Sequence, residues 1–73
     1  MRNVIMATGI VRFFNSVKGF GLITPDAGGP DIFAYTADIV GSGAKSLRQT
    51  QKVQFEVETR ANGISATKIR SID

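Results

Sequence analysis

The sequence predicts an all-β domain, and three features of its composition support this. Isoleucine and valine together outnumber leucine by 14 to 2, and such β-branched side chains fit a pleated sheet better than a helix. Eight glycines are available for the turns between short strands. Leucine, isoleucine, valine and phenylalanine make up 21 of the 73 residues, which is enough for a chain of moderate charge to fold by itself.

The chain is short enough to form one domain, and it lacks the residues for common enzymatic or metal chemistry. It contains no cysteine and no histidine, which excludes thiolate nucleophiles, serine–histidine relays and ordinary zinc sites. We therefore expect no catalytic residue, no metal and no cofactor. No segment has the length and apolarity of a membrane span or a secretory leader. We expect a cytoplasmic monomer, and the net charge of +3 is ordinary for a small soluble domain.

Turn signals divide the first half of the chain into three predicted strands. The first is predicted from Thr8 to Phe14 and the second from Lys18 to Thr24, with Asn15-Ser16-Val17 as a tight connection. Two prolines and two glycines between residues 24 and 30 predict a loop. The third strand is predicted from Asp31 to Tyr35.

The second half of the chain predicts a long connection followed by a hairpin. Residues 37–51 show no alternation, so we expect an irregular connection with one helical turn near residues 37–39. A strand is predicted from Lys52 to Thr59, because apolar and polar residues alternate there. Asn62-Gly63 predicts a tight turn into a fifth strand from Ile64 to Arg70. Five antiparallel strands with one long connection predict a closed barrel of the OB type.

The second predicted strand carries its larger apolar residues on the same face as a charge. Lys18, Phe20 and Leu22 share one face, and Ile23 shares the other face with two glycines. If Phe20 and Leu22 were core residues, Lys18 would point inward with them. It is more economical to place Ile23 in the core, which leaves the aromatic face exposed.

The third predicted strand repeats this pattern. Asp31, Phe33 and Tyr35 lie on one face, whereas Ile32 and Ala34 lie on the other. Exposed rings on two neighbouring strands form an apolar patch, and such a patch on a soluble protein indicates a binding site for a partner. Aromatic rings beside cations suit single-stranded nucleic acid, because bases stack on rings and phosphates attract positive charge. Two alternatives remain: the rings fill the core, or the domain is a small protein-interaction module whose exposed aromatics bind peptides.

Five segments of the chain match one family pattern: Gly9–Asn15, Lys18–Ile23, Asp31–Tyr35, Lys45–Leu47 and Gln51–Val53. Together they resemble the bacterial cold-shock proteins over nearly the whole chain from Met6. Lys18–Ile23 looks like the RNP1 motif of that family, and Ile32–Tyr35 lies where RNP2 is expected. The resemblance implies a five-stranded OB-type barrel that binds single-stranded RNA and DNA with low sequence specificity. It also implies an RNA chaperone or a regulator of transcription or translation.

The resemblance implies a set of nucleic-acid-binding residues. Asp31 matches a family aspartate that contacts a base edge, and Tyr35 replaces the usual histidine. Phe13 stands where the family usually has an exposed tryptophan; because parity alone cannot orient the pair Phe13-Phe14, this resemblance places Phe13 outward. The full predicted set is Arg12, Phe13, Lys18, Phe20, Leu22, Asp31, Phe33 and Tyr35.

At three positions the sequence departs from the family pattern and lacks an aromatic ring, so the predicted stacking surface has fewer rings. Leu22 and Thr36 each stand where the family has a phenylalanine, and Ala44 stands where an aromatic ring usually lies in the long connection. We therefore expect weaker binding than a complete set of rings would give. The same comparison divides the chain into a possible N-terminal extension, residues 1–6, and a cold-shock domain, residues 7–73.

Overall fold

A computed structural model describes residues 6–40, 46–61 and 63–72. These residues contain one turn of 3₁₀ helix, Thr36–Asp38, near the predicted helical turn. They also contain five strands, which confirms the predicted all-β class: β1 (Met6–Asn15), β2 (Phe20–Pro25), β3 (Ile32–Tyr35), β4 (Lys52–Arg60) and β5 (Gly63–Ser71).

The strands close into a barrel in the order β1-β2-β3-β5-β4, with β4 also paired to β1. This confirms the predicted OB-type barrel. Four pairings are antiparallel, whereas β3 and β5 run parallel. A closed ring with an odd number of strands cannot alternate direction at every contact, so one parallel pairing is required. The long connection between β3 and β4 places β4 beside β1 and thereby puts this pairing at β3 and β5.

The core combines alternate residues of the strands with two residues from the long connection. Phe55 is the largest fully buried side chain. Ile39 and Leu47 are also buried, and Ile39 forms a parallel bridge with Ile69 of β5. The buried hydrophobic residues are Val11, Ile23, Ile32, Ala34, Ile39, Leu47, Val53, Phe55, Ala66 and Ile69.

Gly21 allows β1 and β2 to approach each other closely. A Cβ at this position would lie 2.2 Å from the carbonyl oxygen of Phe13 and 2.8 Å from the Cα of Phe14. Both atoms belong to the backbone, so a side chain would force the two strands apart. This is why glycine stands between the outward-facing residues of β2.

Candidate nucleic-acid interface

A β-bulge in β1 turns two consecutive residues to the outer face of the barrel. Val11 pairs with Ile23 and Phe13 pairs with Leu22, so Arg12 is an additional residue on its strand. Beyond the bulge the alternation reverses. Arg12 and Phe13 are both exposed, whereas Phe14 packs partly against the core. The structure thus confirms that Phe13 faces outward.

The faces predicted for β2 and β3 are also confirmed. Ile23 and Ala34 are fully buried and Ile32 is nearly so. Their strand neighbours on the opposite face are partly exposed: Phe20, Leu22, Phe33 and Tyr35. The core is therefore complete without these four side chains.

Five outward residues of β1, β2 and β3 form a surface that we call the apolar platform: Phe13, Phe20, Leu22, Phe33 and Tyr35. Leu22 pairs with Phe13 on one side and with Phe33 on the other, and Phe20 pairs with Tyr35. The rings of Phe13 and Phe20 meet edge to face, with centroids 6.2 Å apart. Those of Phe33 and Tyr35 are nearly parallel, with an interplanar angle of 20° and centroids 6.1 Å apart. The platform therefore offers four rings around one aliphatic side chain.

Lys18 lies in the turn between β1 and β2, two residues before the first residue of β2. The predicted second strand, which began at Lys18, was therefore too long at its start. The Oδ1 atom of Asn15 accepts hydrogen bonds from the amides of Val17 and Lys18, both at 3.0 Å. Gly19, with φ of 78°, donates its amide to the carbonyl of Asn15 at 2.7 Å. This turn ends β1 and leaves Lys18 exposed two residues before Phe20.

Arg12 and Asp31 form an ion pair, with 2.6 Å between Nη1 and Oδ2. Thr24 donates its hydroxyl to the other carboxylate oxygen of Asp31 at 3.0 Å. The hydrogen bond from Arg12, followed by that from Thr24, holds the pKa of Asp31 below its ordinary value. Among the eight predicted site residues, Lys18 carries the one charge that has no ion-pair partner within residues 6–40, 46–61 and 63–72.

The family of "Cold-shock" DNA-binding domains matches residues 7–72 of the chain. The chain belongs to the cold-shock domain family. It is similar to the cold shock-like protein CspA of Bordetella pertussis, with 48% identity over 65 residues that cover 89% of this chain and 97% of the relative. CspA of Stigmatella aurantiaca is 48% identical over 67 residues, or 92% of this chain and 98% of the relative. The probable cold shock protein A of Mycobacterium tuberculosis is 42% identical over 92% of this chain.

The predicted family resemblance is therefore confirmed, and this cold-shock domain is a nucleic-acid-binding domain and not an enzyme. Among the described ranges, no helix is long and apolar enough to cross a membrane. Within the same residues, no cluster of three or more carboxylates could hold a metal ion.

The structure places seven of the eight predicted site residues on β1, β2 and β3 or, for Asp31, directly before β3, and it places Lys18 in the turn that joins β1 to β2. Prediction from sequence missed Thr24 as a partner of Asp31. The signal was available, because Thr24 shares a strand face with Phe20 and Leu22. Of the other departures from the family pattern, Thr36 begins the 3₁₀ turn and donates its amide to the carbonyl of Gly19 at 2.9 Å. Ala44 lies outside the described residues.

Proposed function

We propose that this cold-shock domain binds single-stranded RNA and DNA on the apolar platform, with low sequence specificity. One observation carries the proposal. Four aromatic rings stand on the outer face of three adjacent strands although the core is complete without them. A protein that exposes rings in this way gains affinity for flat apolar ligands.

Stacking explains why the platform suits unpaired bases. Each base has a π-face, and stacking on an aromatic side chain contributes about 1–3 kcal/mol per base with little dependence on sequence. Leu22, at the centre of the platform, covers a base without offering a π-face. Lys18 is placed to attract a phosphate, because it is exposed at the turn that precedes Phe20. Bases held in a duplex cannot stack on the platform, so single strands are preferred.

The same preference supports a role as an RNA chaperone or as a regulator of transcription or translation. A protein that binds unpaired strands and not duplexes shifts the equilibrium of an RNA away from base-paired structures by mass action. We propose that the domain acts in this way as a cytoplasmic monomer. In this proposal residues 7–73 carry the binding and residues 1–6 are an extension; its first five residues lie outside the described residues, and its last, Met6, pairs with Glu56 as the first residue of β1.

Binding of a fluorescein-labelled oligo-dT, measured by anisotropy over a range of salt concentrations, tests the proposal. Oligo-dT should bind, and log K should fall linearly with log salt, because phosphate contacts release counterions. The matched variant Lys18→Gln should lower the slope by about 0.7, the value for one phosphate contact on a single strand. If oligo-dT does not bind, the proposal is wrong. Binding of a proline-rich peptide with little response to salt would instead identify a protein-interaction module.

A further inference from the structure

The ion pair between Arg12 and Asp31 lies beside the platform. It joins β1 to the residue directly before β3 and crosses over β2. Arg12 donates to one carboxylate oxygen at 2.6 Å, and Thr24 of β2 donates to the other at 3.0 Å. Each oxygen is therefore held by a donor from a different strand. Because a carboxylate has about four lone-pair positions, this arrangement leaves acceptor capacity on both oxygens in a fixed orientation.

The two partners of this ion pair differ in exposure. The side chain of Arg12 is 67% exposed, whereas that of Asp31 is only 19% exposed. If Arg12 moved away to a phosphate, a partly shielded carboxylate would keep only the neutral hydroxyl of Thr24. A charge-assisted hydrogen bond is roughly twice as strong as a neutral one, so the carboxylate would lose the stronger of its two hydrogen bonds. The lowered pKa of Asp31, caused first by Arg12, shows the same dependence.

The backbone at the β-bulge also holds Arg12 in place. Val11, the preceding residue, donates its amide to the carbonyl of Gln51 at 2.9 Å. The carbonyl of Val11 accepts the amide of Thr50 at 2.7 Å. A bulge re-aims the side chain of its additional residue, and these two bonds fix the bulge from the opposite side. The direction of Arg12 toward Asp31 is thus built into the barrel.

We propose that Arg12 is a positioning residue that stays paired with Asp31 when nucleic acid binds, and that it does not contact a phosphate. The inference rests on the proposed function. Asp31 precedes Phe33 by two residues and lies on the same side of the chain, so the oriented carboxylate can accept an N–H from the edge of a base stacked on Phe33. Phosphate attraction at the platform then falls to cations outside this pair, such as Lys18 in the turn between β1 and β2.

A variant that removes both charges of the pair tests this inference without changing the net charge. We would titrate labelled oligo-dT of about eight nucleotides, within the usual range for one OB barrel, against the parent and the double variant Arg12→Gln/Asp31→Asn. The double variant should bind more weakly by the same factor at every salt concentration, with an unchanged slope. A slope lower by about 0.7 would show that Arg12 contacts a phosphate and would overturn the inference.

Two single variants make the result specific. Asp31→Asn releases the guanidinium of Arg12, which can then contact a phosphate. The slope of log K against log salt for this variant should therefore rise by up to about 0.7, and an unchanged slope would contradict the pairing. Arg12→Gln should raise the pKa of Asp31 toward its ordinary value, measured by carbon-detected NMR in the free protein, and Arg12→Lys should restore much of the lowering. An unchanged pKa of Asp31 in Arg12→Gln would also overturn the inference.

The outcomes separate this inference from the proposed function. If the parent fails to bind oligo-dT at any salt concentration, both are wrong. If the parent binds and Lys18→Gln lowers the slope, but the double variant lowers it equally, only the role given to Arg12 is wrong.

Discussion

Phe20→Ala and Phe55→Ala form a matched pair that separates the platform from the core. Both variants remove one phenyl ring from a barrel strand. The ring of Phe55 is fully buried, whereas Phe20 is partly exposed and meets Phe13 edge to face at 6.2 Å. The first ring should therefore matter for stability and the second for binding.

The expected magnitudes differ enough to be measured. Phe55→Ala should lower the free energy of unfolding by about 3–5 kcal/mol. At about 0.05–0.15 kcal/mol per residue, a domain of this length has about 4–11 kcal/mol in total, so the variant loses a large share of it and is close to unfolded at the lower end of that range. Phe20→Ala loses an aromatic pair of about 0.5–1.5 kcal/mol in stability. Its loss of stacking should weaken binding by about 1–3 kcal/mol, which is about fivefold to 150-fold in Kd.

Urea denaturation followed by circular dichroism gives the stabilities, and anisotropy of labelled oligo-dT gives the affinities. The comparison of affinity uses Phe20→Ala, which should remain folded. A larger loss of stability in Phe20→Ala than in Phe55→Ala would show that the assigned faces are inverted. A Kd for Phe20→Ala equal to that of the parent would refute stacking on this ring.

Three further predictions concern the platform, a buried hydroxyl and acid stability. Leu22→Phe adds a ring at the centre of the platform and should strengthen oligo-dT binding by about 1 kcal/mol, or about fivefold; equal affinities would mean that the strand takes another path. The hydroxyl oxygen of Ser65 is buried and has no hydrogen-bond partner among the residues that the structure describes, so Ser65→Ala should raise stability by about 1 kcal/mol, and a lower urea midpoint would contradict this. Hydrogen bonds, chiefly from Lys52 to Asp26 and from Arg12 to Asp31, lower the pKa of both carboxyls below 3.8. The contribution of these two carboxylates to folding stability is complete above that ordinary pKa and is lost as pH falls through the lowered pKa values of the folded state. Protonation of the two carboxyls should therefore reduce the urea midpoint only below about pH 4. NMR titrations of the two carboxyls should match that range, and titration near neutral pH would contradict the assignment.

The number and the positions of the strands could be predicted because each strand has a local signal. In β4 the alternation of apolar and polar residues places Val53 and Phe55 in the core, as the structure confirms. The hairpin after β4 was predicted from Asn62-Gly63; Arg60 pairs with Gly63, which has φ of 124°, and Asn62 lies outside the described residues. Such turns and periodicities depend on neighbours in sequence, so they are visible without the fold.

Features that depend on contacts distant in sequence were not predictable in the same way. The β-bulge at Arg12 arises from the register of β1 against β2, and parity within β1 gives no sign of it. Ile39 and Leu47 lie in a connection without periodicity, yet both are buried; Ile39 is fixed by its bridge to Ile69, thirty residues away. Burial at these positions follows from barrel closure and not from local pattern.

The candidate site shows the same division between local and distant information. The outward faces of β2 and β3 were predicted because each predicted strand began with a charged residue on the same face as its rings, although Lys18 and Asp31 lie just before β2 and β3 in the structure. The ion pair of Arg12 with Asp31 joins residues 19 positions apart. The sequence places Thr24 on the outward face of its strand, but its hydrogen bond to Asp31 depends on the register of β2 against β3. The interactions of a charged side chain thus require the register of the strands.

The most direct measurement of the proposed interface is a two-dimensional ¹⁵N–¹H NMR titration of the folded domain with oligo-dT. Amide shifts should change most around the outer face of β1, β2 and β3, at Arg12, Phe13, Lys18, Phe20, Leu22, Asp31, Phe33 and Tyr35. The strand from Val53 to Glu58 should change little. Changes confined to that strand, or no changes at saturating oligo-dT, would contradict binding on the apolar platform.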